Sequence, residues 1–182
     1  MSSPFLYFAG GRLSAAELTS ARLDGDVVEV GEGFMPADAV ETFDLRAGSL
    51  APLLGDTLAA THLSAAWVHG VLDEPPTRHA VQRITARRLS PAIDLRVRYR
   101  DMRLPDRDVM VLCGAAVTTP TRTLADLVRS RDAADREAAE RMAATRPELI
   151  GAALAWLADC GPLHDKRAAA AWLRGRQEEV TR

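Results

Sequence analysis

Apolar and polar residues alternate strictly along residues 93–100. Because successive side chains of a strand point to opposite faces, this pattern predicts a β-strand with one apolar and one charged face. The preceding segment 81–86 has the composition of a second strand that could pair with it. The apolar set is Ile93, Leu95, Val97 and Tyr99, and the polar set is Asp94, Arg96, Arg98 and Arg100.

Two further strands and a helix are predicted in the middle of the chain. Apolar and β-branched residues fill Val109–Leu112 and Ala115–Thr118, with Gly114 at the turn between them. Thr119 is a suitable N-cap, and Pro120 follows at the first helical position, where its missing N–H costs no hydrogen bond. The segment therefore predicts a hairpin that leads into a capped helix. Helical spacing continues through Leu124, Leu127 and Val128.

A short helix and a hairpin are predicted near the start of the chain. Ser14 and Glu17 have the spacing of a capping box, which predicts a helix over residues 14–24 that ends at Gly25. Residues 26–35 alternate weakly around two glycines, which indicates a small hairpin. The order of helix and hairpin resembles the recognition helix and wing of a winged helix-turn-helix domain.

The remaining segments divide into a linker and a helical tail. Residues 36–60 contain two prolines and two glycines, which favours a linker. The tail is predicted to form three helices, at residues 133–144, at 147–161 and from about 165 onward.

Two of these segments carry a resemblance to a known family. Residues 113–127 read Cys-Gly-Ala-Ala-Val-Thr-Thr-Pro-Thr-Arg-Thr-Leu-Ala-Asp-Leu, and residues 61–70 read Thr-His-Leu-Ser-Ala-Ala-Trp-Val-His-Gly. Both are similar to motifs of the C-terminal domain of AbiEi-type antitoxins, and the similarity covers roughly residues 45–131. The resemblance implies an antitoxin or transcriptional regulator that represses its own operon. It also implies a nucleotidyltransferase toxin as a functional partner that need not be bound physically.

These observations together predict an α+β fold. We expect a small mixed or antiparallel sheet at about residues 80–118, with packed helices, a short N-terminal helix–hairpin and a helical C-terminal part. The expected organisation is an abbreviated winged-helix-like segment at 1–44, an AbiEi-like core at 45–131 and a helical region at 132–182. The large apolar residues expected to be buried together are Trp67, Val97, Leu112, Leu124 and Leu127.

Composition indicates an ordinary globular chain. Of 182 residues, 47% are hydrophobic and the net charge is -2, and no apolar run approaches the length of a membrane span. Two cysteines, Cys113 and Cys160, have no metal-like neighbours and are expected to be reduced thiols. With no secretion signal apparent, the sequence predicts a cytoplasmic protein.

The charges are unevenly distributed along the chain. Residues 1–75 carry three arginines against eleven acids, whereas residues 76–131 carry twelve arginines against five acids. Residues 132–182 carry eight basic residues against nine acids. A basic centre in an acidic chain indicates either a site for a polyanion or a basic segment that faces the acidic one.

The candidate nucleic-acid-binding residues lie on the two predicted strands of this basic centre. If the strands pair, up to six guanidiniums could share one sheet face, with Arg96, Arg98 and Arg100 exposed. The alternative is a solvated face whose arginines form ion pairs with Asp94, Asp101, Asp106 and the acidic N-terminal segment. The six candidates are Arg83, Arg87, Arg88, Arg96, Arg98 and Arg100.

Other polar residues favour structural roles. His62 and His69 lie two helical turns apart, too far to share a metal without a third ligand, so packing with a ring–carbonyl hydrogen bond is the simpler interpretation. Arg122 and Asp126 form an i, i+4 pair whose pattern is expected to hold the helix to the sheet, with an anion at Arg122 as the alternative. Because no catalytic motif or metal-ligand set is recognisable, the sequence predicts no enzyme, no cofactor and no metal.

The N-terminal segment departs from a DNA-reading winged helix. Too few residues precede the predicted helix to complete the domain, and the predicted wing presents Glu29 and Glu32 where phosphate contacts need cations. We therefore expect this segment to pack on the basic centre. Two functions stay open: an AbiEi-like antitoxin or regulator that binds operator DNA, and an interaction protein that keeps the core but has lost DNA binding.

Overall fold

The computed structural model describes residues 3–88 and 94–180, which form eight α-helices and seven strands. The helices are α1 (Ala15–Asp24), α2 (Phe43–Ser49), α3 (Ala51–Leu54), α4 (His62–Val68), α5 (Pro120–Arg129), α6 (Ala133–Thr145), α7 (Glu148–Asp159) and α8 (Lys166–Val180). The strands are β1 (Val27–Val30), β2 (Gly33–Pro36), β3 (Leu58–Ala60), β4 (His79–Arg83), β5 (Val97–Arg103), β6 (Val109–Leu112) and β7 (Ala115–Thr118).

The predicted N-terminal helix and hairpin are both confirmed. The Ser14 hydroxyl accepts from the Glu17 N–H while the Glu17 carboxylate accepts from the Ser14 N–H, and Gly25 ends α1 in the left-handed region. β1 and β2 pair as an antiparallel hairpin. At its tip, Gly31 has a φ of +52°, and a Cβ there would overlap the Ser49 hydroxyl. The hairpin tip therefore lies directly against α2.

The prediction of a linker over residues 36–60 is wrong. This segment contains α2, α3 and β3, and it contributes Leu45, Leu50 and Leu54 to the buried core. Thr42 caps α2 with its hydroxyl. Pro52 does not interrupt helical hydrogen bonding, because it lies in the first turn of α3. The sequence does not predict β3, because the strand is Leu-Ala-Ala and contains no β-branched residue that would indicate a strand.

The larger sheet is mixed, with strand order β5-β4-β3-β7-β6. β3 pairs in parallel with β7 and antiparallel with β4, and β4 pairs in parallel with β5. The predicted α+β class with a mixed sheet is thus confirmed, although the sheet begins at Leu58 instead of near residue 80. β5 begins at Val97; Ile93 lies outside the described residues, and Leu95 precedes the strand with 77% of its surface exposed.

Two large cores, with a small third cluster around Leu104, replace the single expected one among the described residues. Trp67 lies in a core beneath the sheet that also contains Val30 and Met35 of the hairpin, with Val97 and Leu112 half-buried at its border. Leu124 and Leu127 are fully buried, but in a second core formed by the C-terminal helices. The prediction was correct for the burial of the tryptophan and these two leucines and wrong in placing all five residues together. α4 contributes to both cores and joins them.

Buried ion pairs connect the sheet to the helices. Arg122 of α5 donates to Asp126 one turn later and to Asp108 just before β6, each at 2.7 Å. The Trp156 indole of α7 donates to the other oxygen of Asp108 at 2.8 Å, and the Arg122 guanidinium lies 4.7 Å from the Trp156 ring centroid. The predicted role of Arg122 in holding α5 to the sheet is supported. The link to the sheet is the hydrogen bond from Arg122 to the Asp108 carboxylate.

We expect Leu124→Ala to lower the free energy of unfolding by about 2–5 kcal/mol, because it leaves a cavity in the helical core. Leu95→Ala is the matched control and should change stability by less than about 0.5 kcal/mol, since Leu95 is mostly exposed. Urea unfolding measures both. Equal effects would contradict the assignment of the second core.

Arg122→Met should destabilise the protein by about 3–5 kcal/mol, because it removes the close cation of the buried Asp108 and leaves the buried Asp126 paired with Arg129 alone. The Arg122 and Asp108 side chains are only 7% and 3% exposed. Arg141→Met is the control: Arg141 pairs with Glu137 on α6 at 51% and 67% exposure, and its loss should cost under about 1 kcal/mol. A small loss for Arg122→Met in the same denaturation experiment would show that the buried pairs are not essential.

Candidate nucleic-acid interface

The six candidate arginines do not share one face. β4 and β5 do pair, as the sequence predicts, and Arg98 and Arg100 lie opposite Ala80 and Gln82 in register. Arg83 follows Gln82 and so points to the other face, where its Nε donates to Asp101 at 2.9 Å. A register shift between Gln82 and Arg83 marks the point at which the regular pairing ends.

Arg96 is held by two carboxylates. Its guanidinium donates to Asp94 at 2.6 Å and to Glu32 of the hairpin at 2.5 Å. Hydrogen bonds from the Arg96 guanidinium and backbone N–H lower the pKa of Asp94 to about 2. Arg96 is exposed, as predicted, but its charge is already compensated on both sides.

Arg98 and Arg100 differ in their surroundings. Arg98 is exposed and pairs with Asp132, the N-cap of α6, at 3.3 Å. Arg100 is half-buried, contrary to the prediction that it is exposed, and it lies opposite the buried Gln82 in register. Its Nε is buried without a hydrogen-bond partner among the described residues.

Two candidates follow the end of β4 and are the most accessible. Arg88 is exposed and lies 3.4 Å from Asp101. Arg87 is exposed and has no carboxylate within ion-pair distance in the described part of the chain. Arg87, Arg88 and Arg98 are thus exposed, and of these three only Arg87 has no carboxylate partner among the described residues.

Most of the ion pairs expected for a solvated face, in which carboxylates neutralise the candidate arginines, are present. Asp94, Asp101 and Glu32 each pair with a candidate arginine, whereas Asp106 pairs with Arg103 instead. Asp132 was missed, because nothing in the sequence brings a residue 34 positions away to Arg98. The acidic character of the N-terminal segment was the signal that pointed to Glu32.

Glu32 also lies beside a buried histidine. Its second carboxylate oxygen is 3.6 Å from the His79 Nε2, and the His79 Nδ1 lies 3.2 Å from the Ser64 hydroxyl. Burial lowers the pKa of His79, and the charge of Glu32 opposes that effect. The β1–β2 hairpin thus contacts two places on the larger sheet. One is Arg96, directly before β5, which we call the arginine strand, and the other is His79 of β4, which pairs with β5.

His62 and His69 occupy structural positions. The His69 Nε2 is 2.8 Å from the Thr118 carbonyl oxygen, as the packing interpretation predicts. The His62 Nδ1 is 3.0 Å from the Thr61 hydroxyl. Burial lowers the pKa of both rings. Among the described residues, no three His, Cys, Asp or Glu side chains are grouped as metal ligands would be.

Residues 58–177 match the AbiEi antitoxin C-terminal domain. The chain belongs to this antitoxin family, which is not a family of enzymes. The matched region begins at β3 and includes α5, α6, α7 and most of α8. Membership supports an antitoxin role and implies a toxin partner in a toxin–antitoxin system. No curated protein matches the chain. In the described ranges, no helix is both long and apolar enough to cross a bilayer.

We expect the protein to lose stability as the pH falls from about 7.5 to 6. His62, His69 and His79 have lowered pKa values when folded, so below the ordinary value of about 6.5 the unfolded chain binds more protons than the folded one. The slope approaches about 1.4 kcal/mol per pH unit for each such histidine. Urea midpoints across this range measure it.

His79→Gln provides the comparison for the pH experiment. It removes one of the three titrating rings, so the slope of stability against pH should decrease by about a third, whatever the change in stability itself. A stability independent of pH between 6 and 7.5 would contradict the assignment.

Proposed function

We propose that this AbiEi family member is a cytoplasmic antitoxin that represses its own operon by binding DNA through the arginines of the β4–β5 region. The toxin it opposes would be a nucleotidyltransferase, without a required physical complex. The observation that carries the proposal is the exposure of Arg87, Arg88 and Arg98 within a segment of twelve arginines and five acids. Arginines suit phosphate because their donors form a planar fork.

The winged-helix-like hairpin has a different role in this proposal. Its acidic residue Glu32 bonds to Arg96, so the hairpin covers one end of the arginine strand instead of presenting cations to a duplex. DNA would then contact the exposed arginines that the hairpin does not cover, Arg87, Arg88 and Arg98. This arrangement limits non-specific affinity, which depends on the number of phosphates neutralised.

A second candidate is an interaction protein that keeps the AbiEi core without binding DNA. The observation that favours it is the pairing of Arg83, Arg96 and Arg98 with carboxylates. Each such pair has to be broken or shared before the arginine contacts a phosphate. The two candidates differ in whether the protein shifts DNA at low salt.

An electrophoretic shift assay with the protein's own upstream region distinguishes them. We expect a shift at low salt that weakens steeply as salt rises, because phosphate contacts release counterions. Replacing Arg88 and Arg98 with alanine should lower the slope of log affinity against log salt by about two. Replacing Arg141 and Arg146, which are not in the candidate set, should leave it unchanged. Absence of a shift at low salt would favour the interaction protein.

Glu32→Gln tests the covering role of the hairpin in the full-length chain. We expect it to increase DNA affinity several-fold at low salt, because it frees Arg96 from one of its two carboxylates. Deletion of the hairpin is unsuitable, since Val30 and Met35 belong to the core.

Glu29→Gln is the matched control for Glu32→Gln. Glu29 lies on the same hairpin but pairs with Arg22 of α1, so it removes the same charge without touching the arginine strand. If both variants bind DNA equally well, only the net charge matters and the hairpin does not cover the site.

A further inference from the structure

The groove between α7 and α8 has an apolar floor and a basic rim. It measures about 830 Å³, and its floor includes Leu154, Leu157 and Ala170. The charged residues that line it are all cations, namely Lys166, Arg167 and Arg174. An apolar groove with charges of one sign suits an amphipathic helix of opposite charge more than a phosphate backbone.

The rim arginines are not compensated within the chain. Most arginines of the described residues have a carboxylate partner, but Arg167 and Arg174 have none there within 4 Å, and Lys166 donates to the Cys160 carbonyl instead. Arg167 and Arg174 are both exposed and lie seven residues apart, so they share one face of α8. Their separation along the helix is about 10.5 Å.

α1 has the complementary properties. Of its ten residues only Leu18 is buried, so nearly the whole helix faces solvent. Glu17 and Asp24 are also seven residues apart, which gives the two acids the same spacing of about 10.5 Å. Beside Asp24 stands Leu23, which is 82% exposed and has no apolar cover. α1 therefore carries two acids, one arginine, Arg22, that pairs with Glu29 of the hairpin, and an uncovered leucine.

We propose that α1 of one copy of this chain docks in the α7–α8 groove of a second copy, in a two-fold dimer. Glu17 and Asp24 pair with Arg167 and Arg174, and Leu23 contacts the floor at Leu154 and Ala170. A stable interface buries at least roughly 1,200 Å². A ten-residue helix is only about 15 Å long, and two-fold symmetry makes the contact twice.

Sedimentation velocity of the full-length chain tests the proposal. The wild type should be dimeric at low salt and should dissociate more readily at high salt, because the pairs are near the surface. A groove variant, Arg167→Glu with Arg174→Glu, should weaken the dimer at least about tenfold by placing like charges together. Arg136→Glu, a charge reversal on α6 outside the groove, should leave the dimer intact.

A helix variant completes the design. Glu17→Gln with Asp24→Arg reverses the charge of α1, and glutamine keeps the capping box at its start. This variant alone should also weaken the dimer at least about tenfold. An equimolar mixture with the groove variant should form dimers again, because one contact is then charge-swapped and the other is native. Circular dichroism of each variant confirms that it is folded.

Three results would overturn the proposal. The first is a wild-type chain that stays monomeric up to about 100 μM, well above a micromolar dissociation constant. The second is a dimer that both variants leave intact. The third is a groove variant with unchanged oligomeric state that no longer shifts DNA, since the groove would then be a nucleic-acid contact.

Discussion

Two buried carboxylates on one guanidinium fix how the sheet and the helices of this protein meet. Asp108 precedes β6, Asp126 and Arg122 belong to α5, and Trp156 comes from α7. Burying each charge costs several kcal/mol, and only well-aligned partners offset that cost. The guanidinium donates in a fixed plane. These partners therefore restrict the angle between α5 and the β6–β7 hairpin, which directly precedes α5. The relative position of the two cores depends on this arrangement.

Local signals predicted the local structure well. The capping box of α1 and the Thr119–Pro120 start of α5 act within a few residues, so sequence alone identifies them. β3 has no such signal, because it is short, alanine-rich and stabilised by strands on both sides. The sequence identifies only the local partner of Arg122, Asp126, for a similar reason: the other partner, Asp108, lies 14 residues away. Long-range pairing therefore accounts for the main errors.

The candidate interface shows the same limit. Alternation correctly placed Arg98 and Arg100 on one side of β5. It could not reveal that Arg83 lies beyond a register shift on the opposite side, or that Asp132 of α6 reaches Arg98. The uneven charge along the chain did indicate that acidic and basic segments meet, and Glu32 and Arg96 are where they do. Which arginines remain accessible is a property of the tertiary structure.

The tight packing of the β1–β2 hairpin tip against the core determines how Arg96 could be separated from Glu32. Gly31 leaves no room for a side chain against Ser49, and its ideal Cβ would lie 3.0 Å from the Trp67 ring, so the backbone of the tip is confined by the core. The adjoining Glu32 reaches Arg96 only through its side chain. Release of Arg96 from Glu32 would thus require torsional rotation of one glutamate side chain and no backbone opening, with the pair to Asp94 left in place. Such rotations take nanoseconds or less when unhindered, so an incoming polyanion would compete with Glu32 at equilibrium and would not wait for a slow gate.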